Sequence, residues 1–110
     1  MATLPYPAYK AALAHVAPVF LDLDATIDKA CVLIGEAARN GAQLIAFPET
    51  YIPAFPVWAA LDAPINNHEF FQRLAANTVR VPGPEVGALA NAARNNGIFV
   101  SVGINEGTEA

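Results

Sequence analysis

Leu44-Ile45-Ala46-Phe47-Pro48-Glu49-Thr50-Tyr51-Ile52-Pro53-Ala54-Phe55-Pro56-Val57-Trp58 is the stretch that decides how the rest of the chain is read. Four apolar residues run into Pro48, and a short apolar run closed by proline reads as a buried strand ending there, because proline has no N–H for the ladder. The strand is predicted over Gln43–Phe47, which puts Glu49 at its tip.

Upstream, Lys10–Val16 alternates small and apolar residues as a strand covered on both faces does, and Pro18 ends it. Asp22 or Asp24 then caps a helix whose positive end is also complemented by Asp28. Ile27, Ala30, Cys31, Ile34, Ala37 and Ala38 recur at spacings of three and four, forming one apolar stripe, and Gly41 after Asn40 suits a left-handed C-terminal cap. Strand, helix and strand in this order build a parallel sheet with a right-handed crossover, and ligands of such sheets gather at the carboxyl ends of the strands. Glu49 lies at that end.

Downstream, Thr50–Pro64 is too rich in proline for regular structure and too apolar for a solvated linker. Loaded with Tyr51, Phe55 and Trp58, it reads as a pocket wall or a subunit contact, against the alternative that the aromatics cover the core beneath. Asn66 or Asn67 caps a short helix holding Phe70, Phe71, Leu74 and Ala75. After the linker Val79–Gly83, Pro84 occupies a first helical position, Val86, Leu89, Ala90 and Ala93 mark a buried stripe, and Gly97 stops the helix. Ile98–Ile104 is a third strand and Asn105-Glu106-Gly107 a turn. Met1–Pro7 reads as a surface leader.

The chain has 110 residues, enough for one domain at most, and with 55% hydrophobic and 15% charged residues it is no disordered segment. So low a charge fraction implies more apolar surface than this length hides, hence a piece of something larger or an oligomer. A net charge of −4 without a basic cluster argues against nucleic-acid binding. With no long apolar run, no membrane span is expected, and a cytoplasmic location is. Cys31 is the single cysteine, so no internal disulfide forms, and no Cys/His spacing suggests a metal site.

Glu49 carries the chemistry. No Lys or Arg occurs from Asn40 to Gln72. A carboxylate held among Phe47, Tyr51 and Phe55 without a local cation is desolvated, which raises its pKa and suits it to general acid–base work. Against this stands a carboxylate facing water at a loop tip. His15 reads as a core histidine, and His68 is isolated. Cys31, inside the apolar stripe with no Lys or His three or four positions away, reads as a packed side chain and not a nucleophile. Glu106 beside Gly107 reads as a structural acceptor.

Phe47-Pro48-Glu49-Thr50-Tyr51-Ile52-Pro53, followed by Phe55-Pro56 and Trp58, resembles the first catalytic segment of the nitrilase branch of the carbon-nitrogen hydrolase superfamily. Tyr9–Asp22 is similar to that family's first strand and its exit, Asn77–Val86 to its lead into a helix, and Gly103-Ile104-Asn105-Glu106 to its strand end. His15 departs from the glutamine common there, and Ala54 from a frequent glycine. The resemblance implies an α/β fold, the N-terminal part of an α-β-β-α sandwich, with residues 1–110 an incomplete domain that ends within the sheet.

It also implies an enzyme that hydrolyses an organic nitrile to a carboxylic acid and ammonia, without a cofactor, through a cysteine thioimidate and an acyl-enzyme. Glu49 would be the general base, and Tyr51 and Trp58 substrate contacts. The family's lysine and cysteine have no counterpart here, since Lys10 and Lys29 do not fit the lysine motif. The segment alone is therefore expected to be inactive, and the full-length protein to be a homo-oligomer. Two alternatives are an amidase or carbamoylase of the same superfamily and a non-catalytic assembly piece. A nucleotide-binding module fits the element order but lacks a glycine-rich phosphate loop after any strand.

Overall fold

The computed structural model describes residues 5–108. Three parallel strands, β1 (Ala11–Leu13), β2 (Leu44–Ala46) and β3 (Phe99–Ser101), lie side by side in the order β1-β2-β3. Between them run α1 (Leu23–Arg39), α2 (His68–Ala76) and α3 (Pro84–Asn96). This is an α/β arrangement with a small parallel sheet, in which Ala11, Leu44 and Phe99 share one register row and Ala12, Ile45 and Val100 the next. The surface leader read over Met1–Pro7 falls partly on residues 1–4, outside the described part.

The helix boundaries follow from local chemistry. Asp22 is the N-cap of α1 and accepts from the Ala25 amide at 3.0 Å. The Leu23 amide, another of the donors without an intrahelical partner, is met by Asn77 Oδ1 at 3.0 Å, which ties the start of α1 to the end of α2. Beyond Asn40, Gly41 takes φ 86°, and beyond α3 Gly97 takes φ 61°, both in the left-handed region that ends helices.

Packing follows the predicted stripe of α1. Ile27, Ala30, Ile34 and Ala37 are buried, with Cys31 and Ala38 partly so, and they meet Ile45 of β2 and Leu89 of α3 in one core. Ile34 is fully buried, and such burial contributes roughly 1.5–3 kcal/mol. On α3 the buried stripe is shifted from the expected one: Ala90 is exposed, and Ala88 and Ala92 face the core with Leu89.

Three expectations are corrected. The strands are three residues long, shorter than Lys10–Val16, Gln43–Phe47 and Ile98–Ile104: Pro48 and Gly103 follow β2 and β3 closely, and after β1 the His15 amide turns back to Leu13 O at 3.0 Å. They are not covered on both faces: α1 and α3 pack on one side, while on the other Leu13 and Phe99 are each 80% exposed. The stretch Thr50–Pro64 is not wholly irregular, since single 3-10 turns form over Val57–Ala60 and, just beyond Ala63, over Pro64–Asn66. Asn67 stands at the N-cap position of α2, but its side chain turns inward and donates to the Trp58 and Asp62 carbonyls at 3.0 and 3.1 Å.

Candidate active site at the carboxyl end of the sheet

Where β2 ends, the Phe47 amide still donates to Ser101 O at 2.8 Å, and the Phe47 ring turns into the core. The chain then breaks away through Pro48 and Glu49, both exposed, into Thr50, whose φ of 47° is unusual for a β-branched residue. The Thr50 hydroxyl is buried without a hydrogen-bond partner. Strain of this kind persists only where the surroundings hold the backbone in place.

Those surroundings come from the chain after β3. A Cβ on Gly103 would stand 2.8 Å from Pro48 O and 2.9 Å from Glu49 Cα, so the Glu49 turn rests directly on a position without a side chain. The Ile52 amide donates to Gly103 O at 3.2 Å, and the Asn105 amide to Ile52 O at 2.8 Å. Parallel bridges pair Ile52 with Ile104 and Val79 with Glu106. The expected turn over Asn105-Glu106-Gly107 is therefore an extended continuation that draws the Glu49 loop against the sheet. Glu106 itself is exposed.

The aromatic enclosure expected for Glu49 is not found. Phe47 and Tyr51 pack against each other inside the core, their rings tilted by 41° with centroids 5.1 Å apart, and Phe55 is 51% exposed, so none of the three rings covers the exposed carboxylate. Beside the turn lies an open cleft of about 290 Å³, lined by Leu13, Ala14, His15, Ala46, Phe47 and Pro48 across the ends of β1 and β2. His15 is exposed at this cleft and is not the core histidine expected, because β1 stops at Leu13, short of His15.

Tyr51 is only 1% exposed, and its hydroxyl donates to Ala17 O at 3.2 Å; burial pushes its pKa above the usual tyrosine range. The Ala17 carbonyl also accepts from Lys29 Nζ at 2.6 Å, and Lys10 Nζ donates to Asn40 O, so both lysines serve the backbone. Trp58, 4% exposed, sits among Phe20, Phe70 and Phe71, with ring centroids 5.3 to 5.9 Å away. A second cavity of about 290 Å³ adjoins it, lined by Phe20, Val57, Leu61, Asn67 and Phe70 among others. The structure thus places Tyr51 and Trp58 in the interior, and the chain stays buried from Tyr51 through Ala54 before it emerges at Phe55.

Cys31 is half-hidden under α3, its Sγ 3.8 Å from Ala88 O, and burial, then the nearby Asp28 carboxylate, push its thiol up from the ordinary value. Little thiolate exists near neutral pH, so iodoacetamide should label Cys31 far more slowly at pH 7.5 than it labels a free cysteine. Labelling at the free-cysteine rate, followed by mass, would show that the thiol is open and ionised. Among the described residues, no helix is long and apolar enough to cross a membrane. Likewise, no group of three or more potential ligands is gathered for a metal ion.

Gly103, Asn105 and Thr50, which shape the Glu49 turn, were not singled out by sequence reasoning as parts of a site. The available signal was Gly103 itself, because an isolated glycine in a strand pattern marks close approach of another backbone.

The chain is 45% identical over 101 residues to a nitrilase of Bacillus sp. (strain OxB-1), covering 92% of this chain and 30% of that protein. It is 43% identical over 103 residues to an arylacetonitrilase of Hypocrea virens, covering 94% and 31%. It is 40% identical over 99 residues to an aliphatic nitrilase of Rhodococcus rhodochrous, covering 89% and 27%. The chain therefore spans about 30% of the length of the curated relatives it matches. Residues 10–109, nearly all of the sequence and the Glu49 turn with it, match the carbon-nitrogen hydrolase family, and to that family the chain belongs.

Proposed function

We propose that this chain contributes the general base, Glu49, to a nitrilase that hydrolyses an organic nitrile to a carboxylic acid and ammonia. The observation that carries this reading is the position of Glu49: a carboxylate at the carboxyl ends of parallel strands, beside an open cleft, in a chain similar to proteins named nitrilases. Glu49 takes the proton of a cysteine thiol, and the thiolate adds to the nitrile carbon to give a thioimidate. One water then adds, ammonia leaves, and a second water releases the acid, with the carboxylate relaying the protons. Two waters are consumed for each nitrile.

The thiol and an accompanying lysine come from outside residues 1–110, since Cys31 is half-hidden under α3 with its thiol pushed up and both lysines are engaged by carbonyls. Residues 1–110 are then part of one domain. The bare apolar sheet face, with Leu13 and Phe99, supports a sandwich in which a second sheet of the same domain covers it. Exposed Leu61 and Ile65, 80% and 85%, support a homo-oligomeric enzyme.

Ammonia release from nitriles and from the matching amides tests the reading, using the complete enzyme beside residues 1–110 alone. The complete enzyme should act on nitriles, with amides turned over poorly, and the isolated segment on neither. Faster turnover of amides would make it an amidase or carbamoylase. Turnover by the isolated segment would contradict the assignment of the nucleophile.

A further inference from the structure

We propose that Asn105 is a positioning residue for Glu49, an inference that rests on the reading of Glu49 as general base. Asn105 Nδ2 lies 3.1 Å from Ala54 O, 3.4 Å from Ile52 O and 3.5 Å from Thr50 O. A carboxamide nitrogen carries two hydrogens, so one is directed to Ala54 and the other is shared between the two longer contacts. One side chain thereby gathers alternate carbonyls of the segment that begins immediately after Glu49. The Asn105 main chain adds its own bond to Ile52 O at 2.8 Å and is anchored from behind by Val79, whose amide donates to Asn105 O at 2.8 Å.

Thr50 gives the turn no support of this kind, because its hydroxyl has no partner and its φ of 47° favours relaxation. The carbonyl-gathering amide opposes that relaxation. A neutral double donor fits: a carboxylate here would face carbonyl oxygens with an acceptor, and an apolar side chain would take the donor away from the Thr50 and Ala54 carbonyls, while Ile52 O would keep the main-chain bond. Asn105 acts through backbone geometry and so sets where the Glu49 carboxylate can reach. A base displaced by about 1 Å costs on the order of 10²-fold in rate.

The test is made in the complete enzyme with N105A, N105D and the double variant E49Q/N105A. N105A and N105D should lower kcat by about 10- to 100-fold with KM within about threefold, because the ground-state complex does not use the base. Adding N105A to E49Q should lower kcat by less than about twofold further, since the positioned group is already gone. If N105A does not fold, Asn105→Ser, which keeps one shorter donor, is judged by the same criteria.

Wild-type kcat in N105A, or a full multiplicative loss in the double variant, would overturn the positioning role while leaving Glu49 as base. Near-normal activity of E49Q would overturn the base assignment, and the positioning role with it.

Discussion

Glu49→Gln in the complete enzyme should lower kcat for nitrile hydrolysis by about 10²- to 10⁴-fold, the usual contribution of a positioned general base. Glutamine keeps the length and shape of the side chain and removes only its ability to accept a proton. Because Glu49 is exposed and its side chain has no hydrogen bond among the described residues, the substitution opens no cavity, and stability should change by no more than about 0.5 kcal/mol. The combination of an unchanged unfolding midpoint and a collapsed kcat is what identifies a chemical role. Ammonia release measured on both proteins checks this. A kcat within tenfold of the parent would remove Glu49 from the mechanism.

The parts of the fold that local chemistry dictates were legible in the sequence. Asp22, Gly41, Pro84 and Gly97 stop or start helices by what each backbone or side chain does within one turn, and all four do so in the structure. The Ile27–Ala38 stripe predicted the buried face of α1 because helical spacing alone selects it. Strand lengths were overread, since an apolar run such as Ile98–Ile104 does not record where its neighbour stops pairing.

The surroundings of Glu49 were not legible for a related reason. Whether Phe47, Tyr51 and Phe55 enclose a carboxylate depends on which side of the chain meets the core, and here Tyr51 reaches back to Ala17 O while Phe55 faces out. The carbonyls gathered by Asn105 lie 51 to 55 positions earlier in the chain, a separation at which no local motif speaks. The location of Glu49 at a strand end was readable; what holds it there was not.

Gly103→Ala should strongly destabilise the turn that carries Glu49. The added Cβ would meet Pro48 O at 2.8 Å, Glu49 Cα at 2.9 Å and the Thr50 amide nitrogen more closely still. All three are backbone atoms, so no flexible side-chain end can swing aside. The turn cannot easily retreat either, because Thr50 already sits at positive φ and Ile52 is bonded to Gly103 O. Overpacking of this kind costs typically about 1–3 kcal/mol, and the confinement of the backbone here argues for the upper end.

The same displacement moves Glu49, so the variant that folds should also lose on the order of 10²-fold in kcat. Gly87→Ala provides the contrast. Gly87 lies inside α3 with nothing within 4 Å of a built Cβ, and alanine there should raise stability by roughly 0.5–1 kcal/mol through helix propensity. Urea midpoints of the two variants should therefore move in opposite directions from the parent. A Gly103→Ala protein that unfolds and turns over like the parent would mean that the Glu49 turn does not rest on this position.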